Sequence, residues 1–274
     1  MPDAAIQLEN VHVDYPVAGQ AVRSVLGGIS LRIESGEFVA IVGETGCGKS
    51  TLLRLILGEE KPTRGRLLVN GRERWQPDRY CGYVPQKYSL FPDKTVLDNV
   101  TFGPETIAFG AWSALRWVHP GQMRRFRQEA FSYLRHTGLD ESDARKYPYQ
   151  LSGGMQQRVA IAQALIMKPP ILLMDEAFSA LDPATRAGMQ RLIKKLWRES
   201  GTTVVFVTHN TREAVCLGTR VIALSKNRDG NRGSSIALDL AVPNLEFDSD
   251  ECDIANLVRE VEAATVRERP LVYN

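Results

Sequence analysis

Residues Gly43 to Thr51 read GETGCGKST and fit the pattern G-x-x-x-x-G-K-[ST]. Such a run works only between a strand and a helix, so it dictates what must flank it. Glu37 to Val42 (EFVAIV) reads as a buried strand, and Leu52 to Leu57 continues as an apolar helix that Gly58 stops. Gly43, Gly46 and Gly48 let the backbone turn so that successive N–H groups face an anion, with Glu44, Thr45 and Cys47 between them. The positive end of the following helix stands behind that cradle. Lys49 is expected to reach the β and γ phosphates of a nucleoside triphosphate. Ser50 is expected to ligate Mg²⁺, and Thr51 to bond further back along the phosphate chain.

Two more strands bring polar groups to the edge of the same sheet. Ile171 to Met174 is four apolar residues, too short for a helix, and it delivers Asp175 and Glu176 at its carboxyl end. Ligands of open α/β sheets bind there. Asp175 suits a water-mediated Mg²⁺ contact, and Glu176 is placed to polarise an attacking water as general base. Thr203 to Val207 (TVVFV) is β-branched and ends at Thr208-His209, which sets His209 to contact a γ phosphate.

Leu151 to Arg158 (LSGGMQQR) adds a second anion-directed helix end. Ser152 is a good N-cap, and Gly153-Gly154 bares the first N–H groups of a helix through Met155, Val159, Ala162 and Leu165. The first such end already holds a nucleotide, so the second is available to a nucleotide held by another copy. A head-to-tail dimer with two nucleotides at its interface is the expectation.

In order along the chain stand GETGCGKST, Gln86 in YVPQ, LSGGMQQR, ILLMDE, SALD at Ser179 to Asp182, and Thr208-His209. Over roughly residues 6 to 224 the chain therefore resembles the ATPase subunits of ABC transporters. The resemblance implies an α/β P-loop NTPase core with a parallel sheet, an N-terminal antiparallel β subdomain and an inserted α-helical subdomain. It implies ATP and Mg²⁺ as cofactors, with Ser50, Gln86 and Asp175 at the metal. It makes Tyr15 the aromatic that stacks on adenine and puts Gln156 beside the nucleotide with Ser152, Gly153 and Gly154. Gln86 links metal and water to the transport partner, Asp182 speaks across the dimer, and His209 is the switch histidine.

The flank Tyr147-Pro148-Tyr149-Gln150 and Met155 after LSGG look like ATPases of bacterial type I importers. SLFPDKTVLDNVTFG and THNTREAVCLGTRV are similar to the branch serving nitrate, sulfonates and taurine, wording that amino-acid importers partly share. What this implies is ATP hydrolysis coupled to import of a small solute. The partners it implies are a transmembrane permease, a second ATPase subunit (identical or a close paralogue) and an extracytoplasmic solute-binding protein. The place it implies is the cytoplasmic face of the inner membrane. An exporter or lipid-transport ATPase would share every catalytic residue named. Soluble relatives acting on ribosomes or DNA usually show two cassettes, a long coiled coil or zinc-binding cysteines, and the sequence has none of these.

Composition narrows the partners. A net charge of +2 on 274 residues gives no electrostatic footprint for nucleic acid. No apolar run approaches the ~20 residues that span a bilayer, and MPDAAIQLEN is not a secretion signal. Cys47, Cys81, Cys216 and Cys252 lack metal-ligand spacing and suit a reducing compartment. Cys47, inside the phosphate loop, reads as a small residue at a tight position rather than an oxidant sensor.

Residues 6 to about 40 read as an antiparallel set, with a hairpin signal at Asn70-Gly71 after Arg66 to Val69. The ATPase domain is expected over 1–224, with the helical subdomain inserted at about 87–168. Asp182 is expected to cap a helix that starts at Pro183, carries Leu192, Ile193, Leu196 and Trp197, and ends at Gly201. The aromatic and basic stretch Thr106 to Arg127 suits either packing within the helical lobe or a face toward a membrane subunit. After Ser225 the chain reads as loop and acidic stretch with one helix, Ile254 to Val266. Residues 225–274 are therefore expected to be a short extension with no separate regulatory domain.

Overall fold

The computed structural model describes residues 4–16, 22–73, 76–87, 89–110, 119–179, 181–227, 233–243, 245 and 251–265. In chain order the elements are β1 (Ala4–Tyr15), β2 (Arg23–Glu34), β3 (Phe38–Gly43), α1 (Lys49–Leu57), β4 (Arg64–Val69), β5 (Arg72–Glu73) and β6 (Cys81–Val84). They continue with α2 (Val96–Phe109), α3 (Pro120–His136), α4 (Gly153–Leu165), β7 (Ile171–Asp175), α5 (Pro183–Ser200) and β8 (Thr203–Val207). The chain closes with α6 (Thr211–Leu217), β9 (Arg220–Ser225), β10 (Ser235–Ala241) and α7 (Glu251–Thr265). Two compact units result: Met1–Cys81 with Gly201–Asn274, and Gly82–Ser200.

The first unit holds two sheets. One is antiparallel in the order β2-β1-β4-β5. It alternates along β1, burying Ile6, Leu8, Val11 and Val13, as expected of a sheet with one covered face. Its β4–β5 hairpin turns through Asn70 (φ 50°) and Gly71 (φ 73°), the two positive φ values of a tight two-residue turn. In the other, β3 runs parallel to both β8 and β9. Phe38 to Val42 and all of β8 are buried, the continuous apolar pattern of a sheet covered on both faces. β10 adds an antiparallel edge on β9, a strand that the pattern reading misses.

Helix α1 buries Leu52, Leu53, Leu55 and Ile56, each contributing about 1.5–3 kcal/mol of transfer free energy. Gly58, at φ 85°, ends it. Near the C-terminus α7 packs on α6 and β9, and Arg212 grips Glu251 through two contacts of 2.8 and 2.9 Å. Helix α7 begins three residues before the expected Ile254.

In the second unit α2, α3 and α4 close around Val96, Val100, Leu134, Leu139, Val159 and Ile166. Thr95 caps α2 by accepting from Asp98 N at 3.2 Å. Phe109 stacks on His119 and meets Phe126 edge-on, so these three aromatics of the 106–127 stretch pack among themselves. Residues 111–118 of that stretch lie outside the described residues. Helix α5 starts at Pro183 as expected, with Asp182 Oδ1 accepting from Thr185 N at 3.0 Å. It carries Leu192, Ile193, Leu196 and Trp197 as expected; its buried residues are Met189, Gln190, Ile193 and Lys194, and the two leucines and Trp197 are half-buried.

Candidate nucleotide-binding and catalytic site

The first unit carries the phosphate loop between β3 and α1, in the flanking context the motif requires. Gly46 and Gly48 adopt φ of 76° and 92°, conformations that L side chains rarely reach. A Cβ on Gly48 would stand 2.6 Å from Leu26 Cδ2, and one on Gly43 would stand 2.4 Å from the Leu224 carbonyl oxygen. The loop thus has no room for side chains at Gly43 and Gly48. Lys49 is 6% exposed, and its ammonium donates to the Gly43 carbonyl at 2.6 Å and the Glu44 carbonyl at 3.1 Å. A buried charge needs such partners, and these carbonyls hold the ammonium against the loop. Ser50 is exposed at the mouth of α1, and the Thr51 hydroxyl accepts from Arg54 at 3.4 Å.

Cys47 is fully buried, and burial pushes its thiol up, with the Lys49 charge pulling the other way. Tyr15 ends β1 with its hydroxyl on Glu60, and Arg54 donates to that hydroxyl at 3.2 Å. Burial, then Glu60, raises the phenol. At the carboxyl end of β8, Thr208 donates to Glu213 at 2.9 Å, and Asn210 caps α6 by accepting from Glu213 N at 3.1 Å. His209 lies exposed between these two fixed residues. Because Val207 pairs with Ile41, His209 and the phosphate loop leave the same edge of neighbouring parallel strands.

The second unit carries the carboxylates and the LSGG helix. Asp175 ends β7 and is 7% exposed. Glu176 follows with φ of 45°, a left-handed backbone that a non-glycine residue holds at a cost of about 1–3 kcal/mol. Gln86 donates through Nε2 to Glu176 Oε2 at 2.7 Å. Ser152 caps α4 by accepting from Met155 N at 3.3 Å, and Gly153 and Gly154 form the first turn. Gln156 donates back to the Leu151 carbonyl at 3.2 Å. Asp182 is fully exposed, and its bonds to Thr185 hold its carboxyl below the usual carboxylate range. Ala180, inside the SALD loop, lies outside the described residues.

One unit thus carries an anion cradle with an inward lysine, and the other a carboxylate pair after a buried strand with a second bared helix end, the parts that the sequence leads one to expect of a nucleotide hydrolase. The comparisons with known proteins agree. The ABC transporter family model matches residues 26–179. An ABC transporter ATP-binding protein of Methanocaldococcus jannaschii is 38% identical over 93% of this chain and 91% of its own. The chain belongs to the ABC transporter ATP-binding family. It is an ATPase, and ATP is its nucleotide. An aliphatic sulfonates import ATP-binding protein of Pseudomonas putida is 44% identical over 81% of this chain and 74% of its own. Among solved structures, a dimeric ATP-binding cassette in a post-hydrolysis state with ADP and Pi superposes with a TM-score of 0.73. It is 35% identical and covers 87% of this chain and 99% of its own.

Three residues of this ABC ATPase escape the sequence reading. Asn99, fully buried, donates to the Phe91, Lys94 and Thr95 carbonyls at 2.9–3.1 Å and accepts from Phe91 N, tying down the segment before α2. Gln157, 1% exposed on α4, donates to the carbonyl of Ala177, the residue after Glu176. Lys226, just past β9, donates to the Thr45 carbonyl of the phosphate loop at 2.6 Å. Gln157 and Lys226 act through tertiary contacts and Asn99 through a short loop closure, and neither leaves a periodic trace in the sequence.

Proposed function

We propose that this ABC ATPase is the ATP-hydrolysing subunit of a membrane importer for a small solute of the sulfonate class. The observation that carries the reading is the 44% identity, over 81% of the chain, to a protein named as an aliphatic sulfonates import ATP-binding subunit. Its partners are a transmembrane permease, a second ATPase subunit and an extracytoplasmic solute-binding protein. It sits peripherally on the cytoplasmic face of the membrane. That position agrees with the finding that no helix among the described residues is long and apolar enough to cross a bilayer.

In this reading Gly43 to Thr51 cradle the triphosphate, and Lys49 exchanges the carbonyls of Gly43 and Glu44 for phosphate oxygens. Tyr15, fixed through its hydroxyl, offers its ring to adenine. Glu176 takes the proton of the attacking water, and His209 contacts the γ phosphate. The Ser50 hydroxyl, the Gln86 amide oxygen and the Asp175 carboxylate are an all-oxygen donor set that fits Mg²⁺, which neutralises phosphate charge when bound. Since Gln86 gives its Nε2 to Glu176, its oxygen is the atom left to face a cation.

Two copies close head to tail, each ATP held between the loop of one and Ser152, Gly153, Gly154 and Gln156 of the other, with Asp182 at the shared interface. ATP contacts that exist only in the closed state drive closure, and hydrolysis removes them. The dimeric state of the solved relative with ADP and Pi supports this arrangement. Tagged Glu176→Gln protein, expressed in its native cell and purified from detergent-solubilised membranes with Mg-ATP, tests the assignment. Recovery of a polytopic permease with a solute-binding protein is expected. Recovery of ribosomal or DNA-repair proteins without any membrane chain would overturn it.

A further inference from the structure

The phosphate loop has an outer wall that its own motif does not contain. In the β3–β9 register Gly43 lies beside Leu224, whose carbonyl leaves no space for a Cβ there. Two residues later Lys226 reaches back, and its ammonium donates to the Thr45 carbonyl at 2.6 Å. The same Nζ is the nearest atom to a Cβ on Gly46, at 3.3 Å. At its other described end the β9–β10 connection meets β2. Ser234 bridges to Leu26, the residue that closes the space beneath Gly48, and accepts from Gly27 N at 2.9 Å. Both described ends of this connection are therefore anchored on the residues that shape the loop. The Lys226 charge is also felt inside it, because it lowers the Cys47 thiol alongside Lys49.

We propose that Lys226 is a positioning residue for ATP, a second lysine of the phosphate loop supplied from beyond β9. The inference rests on the reading of Gly43 to Thr51 as the triphosphate cradle. A trans peptide is planar, with its C=O and N–H directed oppositely. An ammonium that holds the Thr45 carbonyl on the Lys226 side therefore turns the Gly46 N–H to the other side, where the cradle reading puts the anion. Lys226 also brings a positive charge to a site built for a polyanion. An unliganded Gly-rich loop samples many conformations, and fixing one peptide plane removes part of the ordering that binding would otherwise require.

The test compares Lys226→Met, Lys226→Arg and Lys49→Met in the full chain by equilibrium binding of ATP and ADP at low and high salt, with nucleotide-free melting temperatures. Lys226→Met is expected to weaken ATP binding about tenfold, the low end for a lost hydrogen bond to a charged group, because the side chain is exposed. Its ATP affinity should fall less steeply with salt than that of the wild type, one cation having left the loop. Lys226→Arg should restore binding to within about threefold, and the melting temperature without nucleotide should not move. Lys226→Met binding ATP within about twofold of wild type, while Lys49→Met loses it, would overturn the role of Lys226 alone. Wild-type binding by Lys49→Met would instead overturn the reading of the loop. A lowered melting temperature that Arg corrects without correcting ATP affinity would assign Lys226 to stability and also overturn the proposal.

Discussion

Gln86 donates to the Glu176 carboxylate at 2.7 Å while Glu176 holds a backbone φ of 45°. A side chain kept at a conformational cost and oriented by a neighbouring amide is not explained by packing. Such strain persists only where surroundings over-determine it, and it clusters at sites of chemistry. The turn that follows is fixed as well, with Ser179 N donating to the Glu176 carbonyl at 3.0 Å and Gln157 gripping the Ala177 carbonyl.

Replacing Glu176 by Gln keeps an acceptor oxygen for Gln86 and the shape of the side chain, and it removes the negative charge and with it the basicity. Turnover should fall about 10²- to 10⁴-fold, the usual contribution of a positioned general base. ATP binding should stay within about twofold, so that ATP-bound dimers accumulate. Steady-state hydrolysis and gel filtration with Mg-ATP check both halves. Hydrolysis at the wild-type rate would show that the base lies elsewhere.

Gln157 separates positioning from binding. Its Nε2 reaches the Ala177 carbonyl, whereas its Oε1 finds no hydrogen-bond partner among the described residues. Gln157→Met retains the volume and removes the donor, leaving that carbonyl unsatisfied at a cost of about 1–3 kcal/mol. The turn bearing Glu176 loosens, so kcat should drop about tenfold with the ATP Kd unchanged. Rate and affinity measured on the same preparation decide it, and an unaltered kcat would remove Gln157 from the catalytic apparatus.

How much of this could be read from residues alone follows a physical divide. The phosphate loop, the strand before Asp175 and the caps at Ser152 and Asp182 are encoded locally, by glycine conformation, β-branched runs and side-chain oxygens that accept from the first helical turn. The structure reproduces each of them. β10 was hidden because SIALDLA follows the loop-like KNRDGNRGSS and becomes a strand only by pairing with the buried β9. On α5 the buried face includes Gln190 and Lys194, two polar residues that a hydrophobic-period argument assigns to solvent. Lys226 and Gln157 act on residues 181 and 20 positions away, a distance no local pattern spans.

Cys47 should be the slow thiol despite its place in the Gly43 to Thr51 loop. Burial raises its pKa, so at any pH below that value less thiolate is present than for an ordinary cysteine, and thiolate is the reactive form. Iodoacetamide at neutral pH should label the exposed Cys252 first and Cys47 last. The Cys47 rate should climb only as pH rises beyond the ordinary thiol range. Lys49→Met, which removes the largest opposing influence, should slow it further at each pH. Peptide mass spectrometry over a pH series reads the order, and equal labelling of Cys47 and Cys252 at neutral pH would contradict it.

The strongest test of the head-to-tail arrangement uses two defects that are separable only if each site is shared. Ser152 is exposed at the start of α4, and Ser152→Arg fills that helix end with a cation and removes its cap. Lys49→Met disables the phosphate loop. Pair one chain of each kind in a Glu176→Gln background, where bound ATP is not consumed. If the loop of one chain works with Ser152 of the other, both defects fall in a single site and the second site is whole. The mixed dimer should then retain one occluded ATP, while dimers of either variant alone retain none. If loop and Ser152 of the same chain formed a site, every site in the mixed dimer would carry a defect and no ATP would remain. Counting nucleotide per purified mixed dimer therefore distinguishes the two arrangements without any assay of transport.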